Sequence, residues 1–300
     1  MRSFSLLKRE ILIDNGLGAR MARTSPHPLI SRAGMAGSES GPLRLCRVLF
    51  VERRLPIRCW KLYYRFMNSL GIHMMTVRSP NGLTIRGYTN SLFTFHETWS
   101  KREYDVPGLR LGGGMTVVDV GASQGFFSLY AASQGATVHA FEPCAESFEI
   151  LKWNIAKNGL ESRVKPFNVA VTGKKGMVTL FVGFDDKGEI MLATVSTVNI
   201  SAGGEKVLTR QVESVTLDSL LDDLHIVQCD LLKVDCEGAE YEILRHTSTQ
   251  TFEKIAHIAM ECHENRMQEA DTILRNAGFA TTCEDTGWLG ILKARNPRLQ

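Results

Sequence analysis

Two carboxylates and a histidine are the side chains best placed to do chemistry. Asp235 and Glu237 flank Cys236 at the end of the apolar run Asp230-Leu-Leu-Lys-Val-Asp235, and His263 closes Glu261-Cys-His263 at the end of another, Ile255 to Met260. In an open α/β sheet ligands bind beyond the carboxyl ends of the strands, so these groups are expected at one edge. A carboxylate or an imidazole there can take a proton from a weak nucleophile. Asp235 and His263 are the favoured bases, with His96 as a further candidate. Glu240, in the first turn of the helix that follows, reads as a cap, and Glu237 as a group of mixed role. Asp235 with Glu261 could begin a divalent-cation site, but the sequence shows no third ligand and no metal is assigned.

A second set of residues lies upstream. Thr116 to Val120 is a short, largely β-branched run that suits a buried strand, and Gly121-Ala-Ser-Gln-Gly125 then turns the chain into a helix from Phe126 to Ser133. A loop without Cβ atoms lets a ligand approach the backbone, and the helix start offers unpaired N–H groups. A second strand, Thr137 to Phe141, ends in Glu142, roughly 20 residues past the loop, where an acidic residue bonds ribose hydroxyls. The loop lacks the three glycines of a dinucleotide fingerprint, and Asp119 brings a carboxylate that repels a diphosphate but attracts an amino group and a sulfonium. S-adenosylmethionine is therefore favoured over NAD or FAD. Its expected contacts are Asp119, Gly121, Ala122, Ser123, Gly125 and Glu142, with Asn168 and Ala170 beside the adenine ring on a third strand. A plain strand-to-helix turn with a capping aspartate is the alternative.

The elements that position these groups alternate between strand and helix. A helix over Ala145 to Asn158 stops at Asn158-Gly159, and a third strand runs from Arg163 to Val171. Met177 to Gly183 reads as another strand, and Phe184 to Gly204 as a polar loop of lid or substrate-loop type. Val215 to Asp223 is a capped segment before the fourth strand. Met267 to Ala277 is a helix, and Phe279 to Glu284 with Trp288 to Lys293 form a closing antiparallel pair. Ahead of the core, Ser79-Pro-Asn-Gly82 marks the turn of a hairpin between Val77 and Tyr88. Ser91 to Tyr104 reads as a short helix and loop able to line an acceptor pocket.

The division expected from this pattern is a flexible leader over residues 1–42, a basic helix and hairpin extension over 43–105, and an α/β catalytic domain over 106–300. The first 70 residues hold 13 Lys+Arg against 4 Asp+Glu, leaving 22 against 28 in the remainder. An acidic catalytic part is a poor holder of a polyanion, so no nucleic-acid partner is expected. The basic stretch 43–70, with Trp60, Tyr64 and Met67 at helical spacing, suits either a helix docked on the domain or peripheral contact with an anionic membrane. Seven cysteines without C-x-x-C spacing argue for a reducing compartment and a cytoplasmic location. Oligomeric state is not readable.

Six segments taken together resemble the FkbM family of S-adenosylmethionine-dependent methyltransferases. They are Asp119-Val-Gly-Ala-Ser-Gln-Gly125, Ala140-Phe-Glu-Pro143, Asn154-Ile-Ala-Lys-Asn-Gly159, Leu217-Asp-Ser-Leu220, Lys233-Val-Asp-Cys-Glu-Gly-Ala-Glu240 and Glu261-Cys-His263. The resemblance implies a class I methyltransferase, Rossmann-like fold with a mostly parallel seven-stranded sheet and helices on both faces. It further implies O-methylation of a small-molecule or glycan acceptor, with Asp235 and Glu237 beside the methyl group. Ser123-Gln124 and Cys236 depart from the family's usual residues. Methylation of a nitrogen in nucleic acid or protein, and a non-catalytic scaffold, are the competing readings.

Overall fold

The computed structural model describes residues 74–184, 190–198, 206–285 and 289–299. The expected leader and the basic stretch 43–70 lie outside the described residues. The chain begins with a hairpin, β1 (Met74–Arg78) and β2 (Thr84–Tyr88), closed by the Ser79–Gly82 turn. Helix α1 (Leu92–His96) and a wide turn over Glu97–Lys101 lead to the main sheet.

That sheet is built from β3 (Thr116–Val120), β4 (Thr137–Phe141), β5 (Val164–Phe167), β10 (Leu231–Val234), β11 (His257–Cys262), β12 (Ala280–Asp285) and β13 (Gly290–Arg295). Their order is β12-β13-β11-β10-β3-β4-β5, with β13 alone antiparallel to its neighbours. This is the expected class I arrangement. The closing pair is therefore an insertion, since β13 lies between β11 and β12.

Side chains alternate between two apolar layers, as the two-residue period of a strand requires. Val117 and Leu231 face one layer, with Leu129 of α2 (Phe126–Ser133) and Leu151 of α3 (Ala145–Lys157). Val118, Val120 and Leu232 face the other, with α4 (Leu217–Asp223), α5 (Glu240–His246), α6 (Thr249–Glu253) and α7 (Met267–Asn276). Each fully buried Leu, Val or Phe contributes roughly 1.5–3 kcal/mol. The hairpin and α1 belong to the first layer, because Val77, Ile85 and Phe95 share its core with Val117. The expected division near residue 105 thus does not separate two cores. No helix among the described residues is long and apolar enough to cross a membrane.

Two segments differ from expectation. The third strand is broken: β5 stays in the main sheet, while β6 (Ala170–Val171) turns away and pairs with β9 (Lys206–Val215). The expected polar loop over 184–204 contains β8 (Ile190–Ser196), which pairs with β7 (Gly176–Phe184). A four-stranded second sheet, β6-β9-β7-β8, results. Of this sheet the sequence shows β7, expected over Met177 to Gly183, whereas β9 escapes because it carries the polar residues Thr209, Gln211 and Glu213 on an exposed face.

Candidate active site

The glycine loop and the turn after β10 are in atomic contact. Gly121 has φ +76, and a Cβ there would lie 1.8 Å from the carbonyl oxygen of Asp235. At Gly125, φ +86, a Cβ would strike Leu151 at 2.4 Å. These glycines are thus required by close approach of this chain's own backbone and of α3, rather than by a ligand.

Between the main sheet and the second sheet lies a cleft that opens to solvent. Phe141, Ala170, Val171 and Leu180 form its apolar part. Gly121, Ser123 and Glu142 line it as well, and so do Asp235 and Glu237. Glu142 is nearly fully buried. Its Oε2 accepts from the Ser123 N–H and its Oε1 from the Cys144 N–H, both at 2.7 Å. Each oxygen keeps a lone pair for a ligand hydroxyl. Burial pushes this carboxyl up to about 7, against the N–H bonds and the Lys233 charge that pull it down.

Other expected cofactor contacts stand behind this wall. Asp119 is wholly buried, accepts from Ser128 Oγ at 2.6 Å and lies 3.3 Å from Lys233 Nζ. Its carboxylate is neutralised inside the protein and does not present its charge at the mouth of β3. Asn168 is exposed, and its amide donates to the carbonyls of Glu142 and Pro143 at 2.8 and 3.2 Å. It braces the Glu142 loop. Ala122 and Gly125 face the core and α3.

At the acceptor end the expected residues converge. Lys233 Nζ reaches Asp119, lies 3.4 Å from Asp235 Oδ2 and donates to the Gly121 carbonyl at 2.9 Å. Asp235 Oδ2 also accepts from the Tyr104 hydroxyl at 2.9 Å, and that hydroxyl lies 3.1 Å from Glu261 Oε2. Burial would raise the Asp235 carboxyl, but Lys233 and His263 outweigh it and hold it below the ordinary range. Glu237, at φ +54, is raised by burial against its bonds to His263. Glu261 is pushed up to about 8 by burial and then by Asp235.

His263 is not a free base. Its Nε2 is 3.2 Å from Glu237 Oε2 and its Nδ1 is 3.0 Å from Glu240 Oε1. Burial disfavours its charge, yet the bonds to the two glutamates dominate and push it up to about 12. Glu240 does more than cap a helix, since Oε1 also accepts from the Cys236 N–H and Oε2 from the Gly238 N–H, at 3.0 and 2.8 Å. Burial, and then the Lys101 charge, lower the pKa of His96.

The second sheet closes the cleft. Val195, Ser196 and Thr197 line it, and Ser196 Oγ donates to the Glu237 carbonyl at 2.5 Å. The segment expected to be a substrate loop therefore does reach the site, as a strand end. From the N-terminal side Thr94 reaches the cleft and Tyr104 the carboxylates behind it. Lys233 and Tyr104 are the residues that sequence reasoning underrated. A lysine within an apolar strand, two residues before an aspartate, is the signal that could have found the first.

The residues present fit an adenosyl ligand in their chemistry. Apolar walls suit a base, Glu142 offers acceptors to a diol, and the carboxylates of Asp235 and Glu237 line the same cleft. In the cleft wall Ser147 Oγ and Thr197 Oγ1 are sealed from solvent without hydrogen-bond partners, which polar edges of a ligand can satisfy.

The family model "Methyltransferase FkbM domain" matches residues 119–280. Over 239 residues the chain is 28% identical to 31-O-demethyl-FK506 methyltransferase FkbM of Streptomyces tacrolimicus, covering 70% of this chain and 90% of that one. Over 221 residues it is 26% identical to methyltransferase sdnD of Sordaria araneosa, covering 65% and 85%. Among solved structures, methyltransferase FkbM of Methylobacillus flagellatus KT gives a TM-score of 0.44 at 15% identity, covering 69% of this chain and 52% of that one.

Proposed function

As a member of the FkbM methyltransferase family this chain is an enzyme that transfers methyl groups, and we propose that its donor is S-adenosylmethionine and its acceptor a hydroxyl of a sugar, glycolipid or related natural product. The observation that carries this reading is one cleft lined by Glu142 and by Asp235 and Glu237 together. The Streptomyces tacrolimicus relative, named as a methyltransferase of 31-O-demethyl-FK506, supports oxygen as the acceptor atom.

When bound, S-adenosylmethionine supplies a methyl group on a sulfonium, which an acceptor oxygen can take while the sulfur keeps the bonding pair. Glu142, Gly121, Ser123 and Ala170 would hold it, and Asp235 and Glu237 would face the acceptor. An alcohol must lose its proton as it reacts, and Glu237 is the better placed acceptor of that proton, because burial raises its basicity and it lines the cleft. Asp235, held low by Lys233, stays ionised and orients the acceptor hydroxyl. His263 acts through Glu237, whose carboxylate it grips. Much of the acceleration is then positional, since reactants held in line avoid most of the entropic barrier.

Calorimetric titration with S-adenosylhomocysteine tests the donor. Micromolar binding by the wild type, weakened at least tenfold in Glu142→Ala, is the expected result. Absence of binding overturns the reading. A panel of hydroxylated and amine acceptors, read by formation of S-adenosylhomocysteine, tests the acceptor class, and turnover on amines alone would refute O-methylation.

A further inference from the structure

At the acceptor end of the cleft, Asp235, Glu237 and His263 each offer one ligand atom, and these atoms all lie within 4.8 Å of one another. We propose that these three side chains form a divalent-cation site, of the class that accepts mixed carboxylate and imidazole ligands such as Mn²⁺, and that the cation binds the acceptor hydroxyl. This rests on the methyltransferase reading above, and it deepens that reading: with the cation bound, Glu237 and the Nε2 of a neutral His263 act as ligands, the cation takes over from Glu237 the activation of the acceptor hydroxyl, and the released proton leaves to solvent through the open cleft.

Three features favour a built site over a chance grouping of charges. The donors come from two different strand ends, the turn after β10 and the turn after β11, and none is an exposed surface group. Carboxylate oxygens with one imidazole nitrogen suit a first-row divalent ion, and a ligand separation below about 5 Å matches bonds of about 2.1–2.3 Å to a shared centre.

The surrounding shell is also organised as metal centres require. A ligating histidine donates its second ring N–H to a carboxylate, which fixes the tautomer and aims the other nitrogen at the ion. Here His263 Nδ1 faces Glu240 Oε1 at 3.0 Å, and Glu240, wholly buried, is itself held by the Cys236 and Gly238 N–H groups. That arrangement turns Nε2 toward Glu237 at 3.2 Å and Glu261 at 3.6 Å. Tyr241 fixes the backbone beside it, its hydroxyl donating to the His263 carbonyl at 2.5 Å. Asp235 is oriented in the same way by the Tyr104 hydroxyl.

Third, the site faces the cleft. Asp235 and Glu237 line it, so two of the three ligands meet any molecule that enters. A cation there would keep open positions for an acceptor oxygen and lower the pKa of its hydroxyl, which a neutral alcohol needs before it can attack. The local excess of carboxylates over cations supports this assignment: Asp235, Glu237, Glu240 and Glu261 gather around Lys233 and His263.

The test is Mn²⁺ titration of the full chain after chelator treatment, followed by electron paramagnetic resonance, with S-adenosylhomocysteine binding measured in parallel. The wild type is expected to take up one Mn²⁺ per chain. Binding should weaken at least a hundredfold in His263→Ala and in Glu237→Gln, and about 10–100-fold in Glu240→Gln, which removes only the orienting carboxylate. All three should still bind S-adenosylhomocysteine, which shows that they fold. If the wild type binds S-adenosylhomocysteine but no Mn²⁺ at millimolar concentration, or if both His263→Ala and Glu237→Gln bind Mn²⁺ as the wild type does, the cation site is refuted and the methyltransferase reading stands. Mn²⁺ uptake without S-adenosylhomocysteine binding would instead overturn the donor assignment.

Discussion

Lys233 and Asp119 are partners in register on neighbouring parallel strands, and Lys233 Nζ lies 3.3 Å from Asp119 Oδ1 with both side chains sealed from solvent. The same ammonium serves Asp235, so one cation neutralises a carboxylate under the cofactor loop and another beside the acceptor. Lys233→Met should leave the buried Asp119 carboxylate without its cation, and Asp235 with only Tyr104 and His263, and destabilise the fold by about 3–5 kcal/mol. Urea unfolding measures it, and a loss below about 1 kcal/mol would contradict this role. Combining Lys233→Met with Asp119→Asn should restore part of the loss.

The carboxylate cluster sets a pH dependence of definite sign. Glu261 is pushed up to about 8 by burial and Asp235, from an ordinary 4.5, so the folded chain keeps a proton that the unfolded chain loses. Stability from this group is therefore lost as pH rises from about 4.5 to 8. Glu261→Gln should match the wild type near pH 4.5 and exceed it by about 1–3 kcal/mol near pH 8, measured with chelator present. His263 is likewise raised, to about 12 from 6.5, but as a cation gaining partners. The advantage of wild type over His263→Gln should be greatest below pH 6.5 and shrink steadily above it.

Asn154 on α3 and Asn158, the residue that caps its C-terminus, act as a substitute strand for the hairpin. Asn154 accepts from the Arg86 N–H at 2.7 Å and donates to the carbonyls of Arg86 and Gln124, both at 2.8 Å. Asn158 does the same for Thr84, with both bonds at 2.8 Å. Asn154→Ala leaves buried backbone groups unpaired and should cost about 2–4 kcal/mol. Hydrogen exchange at Arg86 should speed up by a larger factor than exchange in β10.

Ser196 connects the second sheet to the catalytic turn through the Glu237 carbonyl. Ser196→Ala should lower kcat about tenfold and leave the affinity for S-adenosylhomocysteine within twofold, while Ser196→Thr recovers most of the rate. An equal loss in both variants would show that packing, not the hydroxyl, matters at this position.

The parts legible in the sequence are those governed by local pattern. The bounds of β3 and β4, Thr116–Val120 and Thr137–Phe141, follow from short β-branched runs ended by glycine and glutamate. The convergence of Asp235, Glu237 and His263 follows from topology, because β10 and β11 are parallel neighbours whose carboxyl ends must meet. What each side chain touches could not be read in this way. Asp119 lies on a strand whose neighbour carries Lys233, and only the register of the two makes them a pair. Likewise Glu142 and Asn168 lie where expected in the chain, but Asn168 turns its amide to backbone carbonyls, a choice among rotamers that leaves no mark on spacing.

The departure of the chain from the main sheet after Phe167 also bears on how the molecule avoids its own kind. β5, the outer strand at that end, is only four residues long and contains Pro166, which has no N–H to offer an incoming strand. Lys165 beside it is exposed and adds a charge that a second copy would have to desolvate. Edge-to-edge aggregation is thereby discouraged at one side of the sheet, and Pro166→Val with Lys165→Val should promote light-scattering aggregates on warming.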